Sequence, residues 1–219
     1  MTQVILDISM SLDGFVAGPD QTLDEPLGRG GEQLHEWAFA TEAFRRSHGQ
    51  EDGEANRDSE VAAEWLRRVG ATVMGRQMFS GGDGPWDDDP KARGWWGDEP
   101  PFHHPVFVLT HHPREPLEME GGTTFTFVTD GIESALEQAR EAAGDADVTI
   151  GGGGSVAQQY LAAGLVDEIQ LHVVPVLLGA GTRLFDGAPE TSRNRLEITR
   201  VIDSPTVTHL RYRVTANGS

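Results

Sequence analysis

Apolar residues open the chain in an unbroken run, Val4-Ile5-Leu6, which Ile8 extends before Ser11-Leu12-Asp13-Gly14 ends it. Such a run reads as a buried strand, and Asp13-Gly14 is a turn signal. Residues 18–31 are rich in Gly, Pro and Asp and read as loop. Leu34, Trp37, Ala38 and Phe44 then fall on one side of a helical pattern, and the polar stretch 47–58 reads as a mobile connection. Val61, Ala62, Trp65, Leu66 and Val69 recur at helical spacing, with Gly70 as the stop. Short apolar strands follow at 71–74, 105–109 and 125–128, then a helical segment at 132–143 and a strand at 147–150. The strand runs straight into four glycines, 151–154, and a helix over 156–163 that Gly164 closes. A strand over 168–174 mixes polar and apolar positions. The alternating segments 196–202 and 207–214 read as a terminal antiparallel pair.

Strands alternate with helices as far as residue 174, and strands then run alone. That order predicts an α/β domain with a mainly parallel sheet, helices on both faces and an antiparallel C-terminal edge. No internal repeat or linker divides residues 1–219, so one domain is expected. Residues 81–104 have neither strand nor helix period, yet hold Trp86, Trp95 and Trp96 of the five tryptophans. A long aperiodic stretch with that much aromatic surface predicts an ordered loop over a pocket or a subunit interface.

Composition removes several function classes. There is no cysteine, hence no disulfide framework, thiol nucleophile or cysteine-ligated metal. A net charge of −18 repels nucleic acid and anionic lipid, so neither is an expected partner. No apolar run approaches the ~18 residues of a membrane span. The N-terminus lacks the basic flank and apolar stretch of a signal peptide, so a cytoplasmic location is expected; the Asn217-Gly-Ser219 sequon is then incidental.

Glycine, 27 residues, marks where chemistry could sit. In Val148-Thr-Ile-Gly-Gly-Gly-Gly-Ser155, a strand, a glycine cluster and a helix start together form an anion cradle. First-turn amides point at the ligand and glycines permit its close approach; Ser155 adds a hydroxyl. The bland alternative is a turn that needs positive φ, which four glycines exceed. Gly152-x-Gly154-x-x-Ala157 formally matches the dinucleotide fingerprint. The unit comes late in the chain, and no acid follows ~20 residues on to hold a ribose, so a standard double winding does not fit. Met74-Gly75-Arg76 after a strand can present a guanidinium fork to a phosphate, or a surface arginine to a nearby acid. Leu109-Thr-His-His-Pro-Arg114 after another strand suits a phosphate monoester. Metal ligation by His103, His104, His111 and His112 is the rival reading, but no helical His spacing supports it and adjacent strand residues point to opposite faces. No metal site is expected. No catalytic set can be assigned from spacing: Asp7 and Asp13 are candidate acids, Asp13 better explained by its turn, and His172 reads as a core or interface histidine. All three anion features follow the C-terminal ends of strands, where open α/β sheets bind ligands. Two separated anion sites suit a 2′-phosphorylated dinucleotide.

These residues resemble the dihydrofolate reductase-like superfamily, most closely the C-terminal reductase domain of the bifunctional riboflavin-biosynthesis deaminase–reductase. The resemblance spans nearly the whole chain: Ser11-Leu-Asp-Gly-Phe-Val-Ala17, Val73-Met-Gly-Arg-Gln-Met-Phe79, Pro105-Val-Phe-Val-Leu-Thr110, and above all Gly151 to Phe185 with Leu165-Val-Asp-Glu-Ile, His172-Val-Val-Pro and Leu178-Gly-Ala-Gly-Thr-Arg-Leu-Phe in family order. It implies a mixed sheet of about eight strands, a homodimer, and an NADPH-dependent reductase similar to 5-amino-6-(5-phosphoribosylamino)uracil reductase, with a small heterocyclic or ribosyl substrate. Gly75 and Arg76 match the motif that meets the 2′-phosphate. Thr110 and His111 match the strand end beside the adenosine ribose, and Gly152, Gly153, Gly154 and Ser155 the pyrophosphate turn. Ser9, Val16 and Ala17 match positions lining the nicotinamide. Thr182 falls near a position bordering the pterin site, and Trp95 of the 81–104 loop is the other residue assigned to the substrate side. Where dihydrofolate reductases carry their pterin acid, this chain has Leu34 or, shifted by one, Gln33; Glu32 is out of register. Met78 replaces a threonine. The deaminase signatures H-x-E and P-C-x-x-C are absent. A dihydrofolate or pterin reductase, and a non-catalytic nucleotide or flavin binder on the same fold, are the alternatives.

Overall fold

The computed structural model describes residues 2–82, 84–88, 92–186 and 194–216; the Asn217-Gly-Ser219 sequon lies outside them. In chain order the strands are β1 (Val4–Ser11), β2 (Phe15–Ala17), β3 (Val69–Gly75), β4 (Pro105–Leu109), β5 (Leu117–Glu118), β6 (Thr124–Val128), β7 (Asp147–Gly152), β8 (Glu168–Val174), β9 (Thr182–Arg183), β10 (Asn194–Asp203) and β11 (Thr208–Ala216). The helices are α1 (Glu36–Phe39), α2 (Glu42–Ser47), α3 (Arg57–Arg68), α4 (Arg76–Ser80), α5 (Ile132–Ala143) and α6 (Gly154–Ala162). Nine strands form one sheet in the order β10-β11-β8-β1-β7-β3-β4-β6-β5. Pairing is parallel from β8 across to β6 and antiparallel at β11 and β10, as the element order predicts. The ninth strand is the two-residue edge β5, too short to read from a pattern. β2 and β9 form a separate antiparallel ribbon.

The two faces of the sheet differ in chemistry. One is apolar: Val4, Leu6, Val73, Val148, Ile150 and Leu171 pack under α5 and α6 with Leu136, Ala139, Val156 and Tyr160. The registers put Asp7, Ser9, Thr72, Thr149, Gln170, His172 and His209 on the opposite face. Most of these are buried, yet every one is polar. Buried polar side chains need partners, so this part of the face carries a site, while Met74, Val106, Val108 and Phe125 beside it form a second apolar core.

Three local readings change. The helix expected around 34–44 is a 3-10 turn, Gly31–Leu34, then α1 and α2. Thr41 makes the break: its buried hydroxyl accepts the Phe44 amide as an N-cap, and Glu42 N–H bonds Glu54 C=O. That contact ties Glu54 of the 47–58 stretch to the start of α2. α3 stops at Arg68, and Gly70 already lies in β3. A Cβ there would sit 2.7 Å from Ala146 Cβ and 3.0 Å from Ala143 C=O, so this glycine serves close packing against the end of α5. The described part of the 81–104 loop is held by aromatic contacts. Trp86 packs edge-on against Phe127 at 4.8 Å and donates to His112 C=O at 2.7 Å, and Trp96 meets Phe102 at 4.9 Å.

Candidate active site

The C-terminal ends of β3 and β7 meet at the glycine cluster, with β4 one strand beyond. β7 enters it, the Gly152–Gly153 peptide is cis, and Gly152 has φ +113°. Gly153 then caps α6, whose first residues are Gly154 and the exposed Ser155. The Val156 and Ala157 amides bond Gly153 C=O, which leaves the Gly154 and Ser155 N–H groups as the turn's donors among the described residues. The glycines divide the work. Nothing lies within 4 Å of a Cβ built on Gly153, so its face is open to a ligand. A Cβ on Gly154 would lie 2.6 Å from Thr182 Cγ2 and 3.0 Å from Val16 Cγ2, and one on Gly75 would lie 2.9 Å from Val156 Cγ2. Gly75, Gly154, Val16 and Thr182 are thus brought together around the turn, with Ala17 beside Val16 on β2.

Arg76 opens α4, one residue beyond Gly75. Its guanidinium is buried, stacks 3.4 Å from the Trp86 ring centroid and donates to Ser80 Oγ. Arg114 lies 4.7 Å from the same ring. Thr110 is buried at the end of β4, its hydroxyl accepting the His112 amide, while His111 is exposed. Because Gly75 pairs with Leu109, these residues flank Arg76 across one strand gap. Asp13 belongs to a turn: Ser11 Oγ, Leu178 N–H and Gly179 N–H donate to its carboxylate, the Ser11 bond foremost in holding it below the usual carboxylate range.

Beside the turn, on the polar sheet face, is a cavity of about 260 Å³. Its floor is Asp7, Ser9, Thr72, Thr149, Gly151, Gln170 and His172, and α1, α2, α3 and the 81–104 loop wall it with Trp37, Trp65, Trp96 and Phe102. Gly151 and Met78 join it to the glycine turn, Met78 Sδ lying 3.6 Å from a Cβ position on Gly152. Ser9 accepts from Trp37 Nε1 at 3.1 Å. Trp96 rather than Trp95 lines this cavity; Trp95 packs against Gly81. Thr182 lies at the glycine turn and outside the cavity wall. Buried side-chain atoms without a hydrogen-bond partner among the described residues include Asp7 Oδ2, Trp65 Nε1 and Trp96 Nε1, and all three residues line this cavity. Two stranded donors and a stranded acceptor around one cavity suit a ligand that brings both.

Sequence reasoning missed how deep the polar network runs. His172 is buried as expected, but it also faces the cavity: its Nε2 lies 3.3 Å from Asp7 Oδ1 and its Nδ1 2.6 Å from His209 Nδ1. His209 Nε2 lies 3.1 Å from Asp58 Oδ1. The available signal was Asp7 inside an apolar run and the alternation Gln170, His172 in β8. His35, also on the cavity wall, is pushed down to about 4 by burial first and by His172 second. Among the described residues, no group of three or more His, Asp or Glu could hold a metal ion, and no helix is long and apolar enough to cross a membrane.

A profile of the RibD C-terminal domain family matches residues 2–210. The chain belongs to that family. Within it and around it, the chain is similar to the uncharacterized protein YyaP of Bacillus subtilis, 22% identical over 94% of this chain and 92% of that protein. Among solved structures it is similar to a candidate riboflavin biosynthesis protein of Shewanella sp. PV-4 (TM-score 0.63, 22% identity, 98% and 99% of the two chains covered). It is also similar to a diaminohydroxyphosphoribosylaminopyrimidine deaminase/5-amino-6-(5-phosphoribosylamino)uracil reductase of Thermotoga maritima (TM-score 0.56, 16% identity), of which it spans 57% while 98% of this chain is covered. At these identities the structures establish a shared fold, which for this RibD C-terminal domain is the dihydrofolate reductase-like one.

Proposed function

We propose that this RibD C-terminal domain is an NADPH-dependent reductase of a small planar heterocycle or its ribosyl derivative, akin to the uracil reductase named for the Thermotoga relative. The observation that carries the proposal is the continuity of the glycine turn with the polar cavity through Gly151 and Met78. The open face of Gly153 and the first amides of α6 fit a pyrophosphate, and Ser155 adds a hydroxyl there. Thr110 and His111 would border the adenosine ribose. Gly75 brings Arg76 to the 2′-phosphate side, its guanidinium held over the face of Trp86. Ser9, Val16 and Ala17 would border the nicotinamide. When bound, the cofactor supplies a hydride.

The chain's own residues do the rest. Trp37 locks Ser9, α3 and the tryptophan loop exclude water, and the unpartnered Trp65 and Trp96 N–H groups meet acceptors on the substrate. A uracil-like ring, with carbonyl acceptors and N–H donors around its edge, satisfies both kinds of stranded atom. Intrinsic tryptophan fluorescence titrated with NADPH and NADH tests the cofactor assignment. Arg76→Ala should weaken NADPH at least ~10-fold more than NADH, about 1.4 kcal/mol of selectivity; equal losses would remove Arg76 from the 2′-phosphate. Oxidation of NADPH in the presence of 5-amino-6-(5-phosphoribosylamino)uracil or a pterin then tests turnover. A homodimer, the expected assembly, would appear as twice the chain mass in sedimentation.

A further inference from the structure

Reduction of a C=N or C=O bond takes a hydride on carbon and a proton on nitrogen or oxygen. The cavity offers a source for the second. Asp7, His172, His209 and Asp58 form an unbroken chain, with contacts of 3.3, 2.6 and 3.1 Å, from the cavity floor to the first turn of α3. His172 and His209 are buried, as is Asp58. At its far end Asp58 Oδ2 accepts from Ser204 Oγ at 3.1 Å and from the exposed Thr206 Oγ1 at 3.0 Å, beside a surface cleft lined by Asn56, Arg57, Asp203 and Pro205.

Counting protons shows what this chain holds. Three contacts need three protons. Two ionised carboxylates and two neutral imidazoles supply two, which leaves two lone pairs facing each other at one contact. A third, mobile proton completes the set. With it on Asp58, His209 Nδ1–H donates to His172 Nδ1, and His172 Nε2–H donates to the Asp7 carboxylate. One shift along each contact reverses all three bonds, leaves Asp58 ionised and puts a protonated Asp7 in the cavity. No ring has to turn during this one delivery, and both end states keep every contact.

We propose that Asp7 donates the proton to the substrate and is reloaded from the surface through His172, His209 and Asp58. This rests on the reductase reading above. The step balances: the substrate's unsaturated bond takes a hydride from a reduced nicotinamide at carbon and the Asp7 proton at its heteroatom; delivery leaves His172 protonated at Nδ1 and His209 at Nε2, so both imidazoles must return to the opposite tautomer before solvent at Thr206 reloads Asp7 through Asp58. Asp7 would touch substrate; the other three are positioning residues. The neighbouring charged and titratable groups on this face are His35 before α1, His48 just after α2 across the cavity, and Glu64 of α3 with Arg211 of β11, which bond each other at 2.8 Å. His35 stays neutral in the folded chain until pH about 4, so it does not compete for the proton near neutrality.

The test starts without substrate or cofactor. In protein labelled with 15N-histidine and 13C-aspartate, NMR over the range in which imidazoles and carboxyls titrate should show His172, His209 and Asp7 changing at one shared midpoint. Asp58→Asn removes a negative charge that favours the shared proton, so it should lower that midpoint for all three. His172 titrating alone, with Asp7 indifferent to Asp58, overturns the relay. Should Asp58→Asn not fold, the wild-type co-titration decides by itself. In single turnovers with NADPH and 5-amino-6-(5-phosphoribosylamino)uracil, Asp7→Asn should cost ~10²-fold or more while NADPH affinity stays within twofold of wild type. Asp58→Asn should shift the alkaline limb of the rate profile down by the same amount as the midpoint. Turnover with an unmoved profile refutes the relay and leaves the reductase standing. If wild type neither binds nor oxidises NADPH, the reductase reading falls, and the NMR titration still settles whether the proton is shared.

Discussion

Adjacent glycines in the turn should respond oppositely to the same added methyl. In Gly154→Ala the new Cβ would lie 2.6 Å from Thr182 Cγ2 and 3.0 Å from Val16 Cγ2, where ordinary contact begins near 3.4 Å. Both neighbours are β-branched and stiff about χ1, so the strain must move the two-residue strand β9 or tilt the start of α6. Overpacking of this kind costs about 1–3 kcal/mol, and alanine's better helix propensity returns roughly 0.5–1 kcal/mol. The net loss spans roughly 0–2.5 kcal/mol and centres near 1 kcal/mol, a Tm drop of roughly 2–4 °C at this chain length. Gly153→Ala meets nothing within 4 Å and its backbone, φ −63°, suits any residue. Its Tm should stay within about 2 °C, since surface changes usually lie within ±0.5 kcal/mol. Its methyl would instead stand on the open face assigned to the pyrophosphate, and NADPH affinity should fall ~10-fold or more, about 1.4 kcal/mol. Thermal melts and fluorescence titration of the two variants read both axes. A destabilised Gly153→Ala that binds NADPH normally, or a Gly154→Ala as stable as wild type, would refute this division of labour.

Two further outcomes concern stability. Arg68 at the end of α3 donates to Asp147 at 3.0 Å, Glu168 at 2.8 Å and Gln3 at 3.2 Å, tying β7 and β8 to the residue before β1; Arg68→Ala leaves Asp147 without its cation while Glu168 keeps Arg211 at 3.5 Å, and should cost roughly 1–3 kcal/mol, between the exposed and buried limits, read from the urea midpoint, with a value under ~0.5 kcal/mol contradicting it. Burial first, with a charge from a neighbouring histidine, pushes His35 and His104 down from 6.5 to about 4. The unfolded chain therefore binds more protons than the folded one between those pH values, and stability should fall as pH drops through that window; His104→Asn should flatten the slope, and an unchanged slope would show that His104 is not the group responsible.

The parallel frame was legible because β1, β7 and β3 are buried apolar runs alternating with helices, and the terminal hairpin because its two segments alternate. The glycine turn stood out since Gly151–Gly154 follows a strand and opens a helix, a purely local pattern. The cavity was not legible as a unit. Asp7, His172, His209 and Asp58 are far apart in the chain, and each alone resembles an isolated polar residue in an apolar or mixed segment. Only the β1–β8–β11 register, Ser9 opposite His172 opposite His209, gathers them. The β2–β9 ribbon escaped notice for the same reason, as its strands are too short to carry a period. Within the tryptophan loop, aperiodicity hides orientation, so Trp95 could not be told from Trp96 before both were placed.

Calorimetric titration of concentrated wild-type protein with NADPH, repeated with NADH, tests the central claim most directly. One NADPH per chain, bound more tightly than NADH and weakened by Gly153→Ala, is the predicted result. The absence of heat from either nucleotide would contradict it.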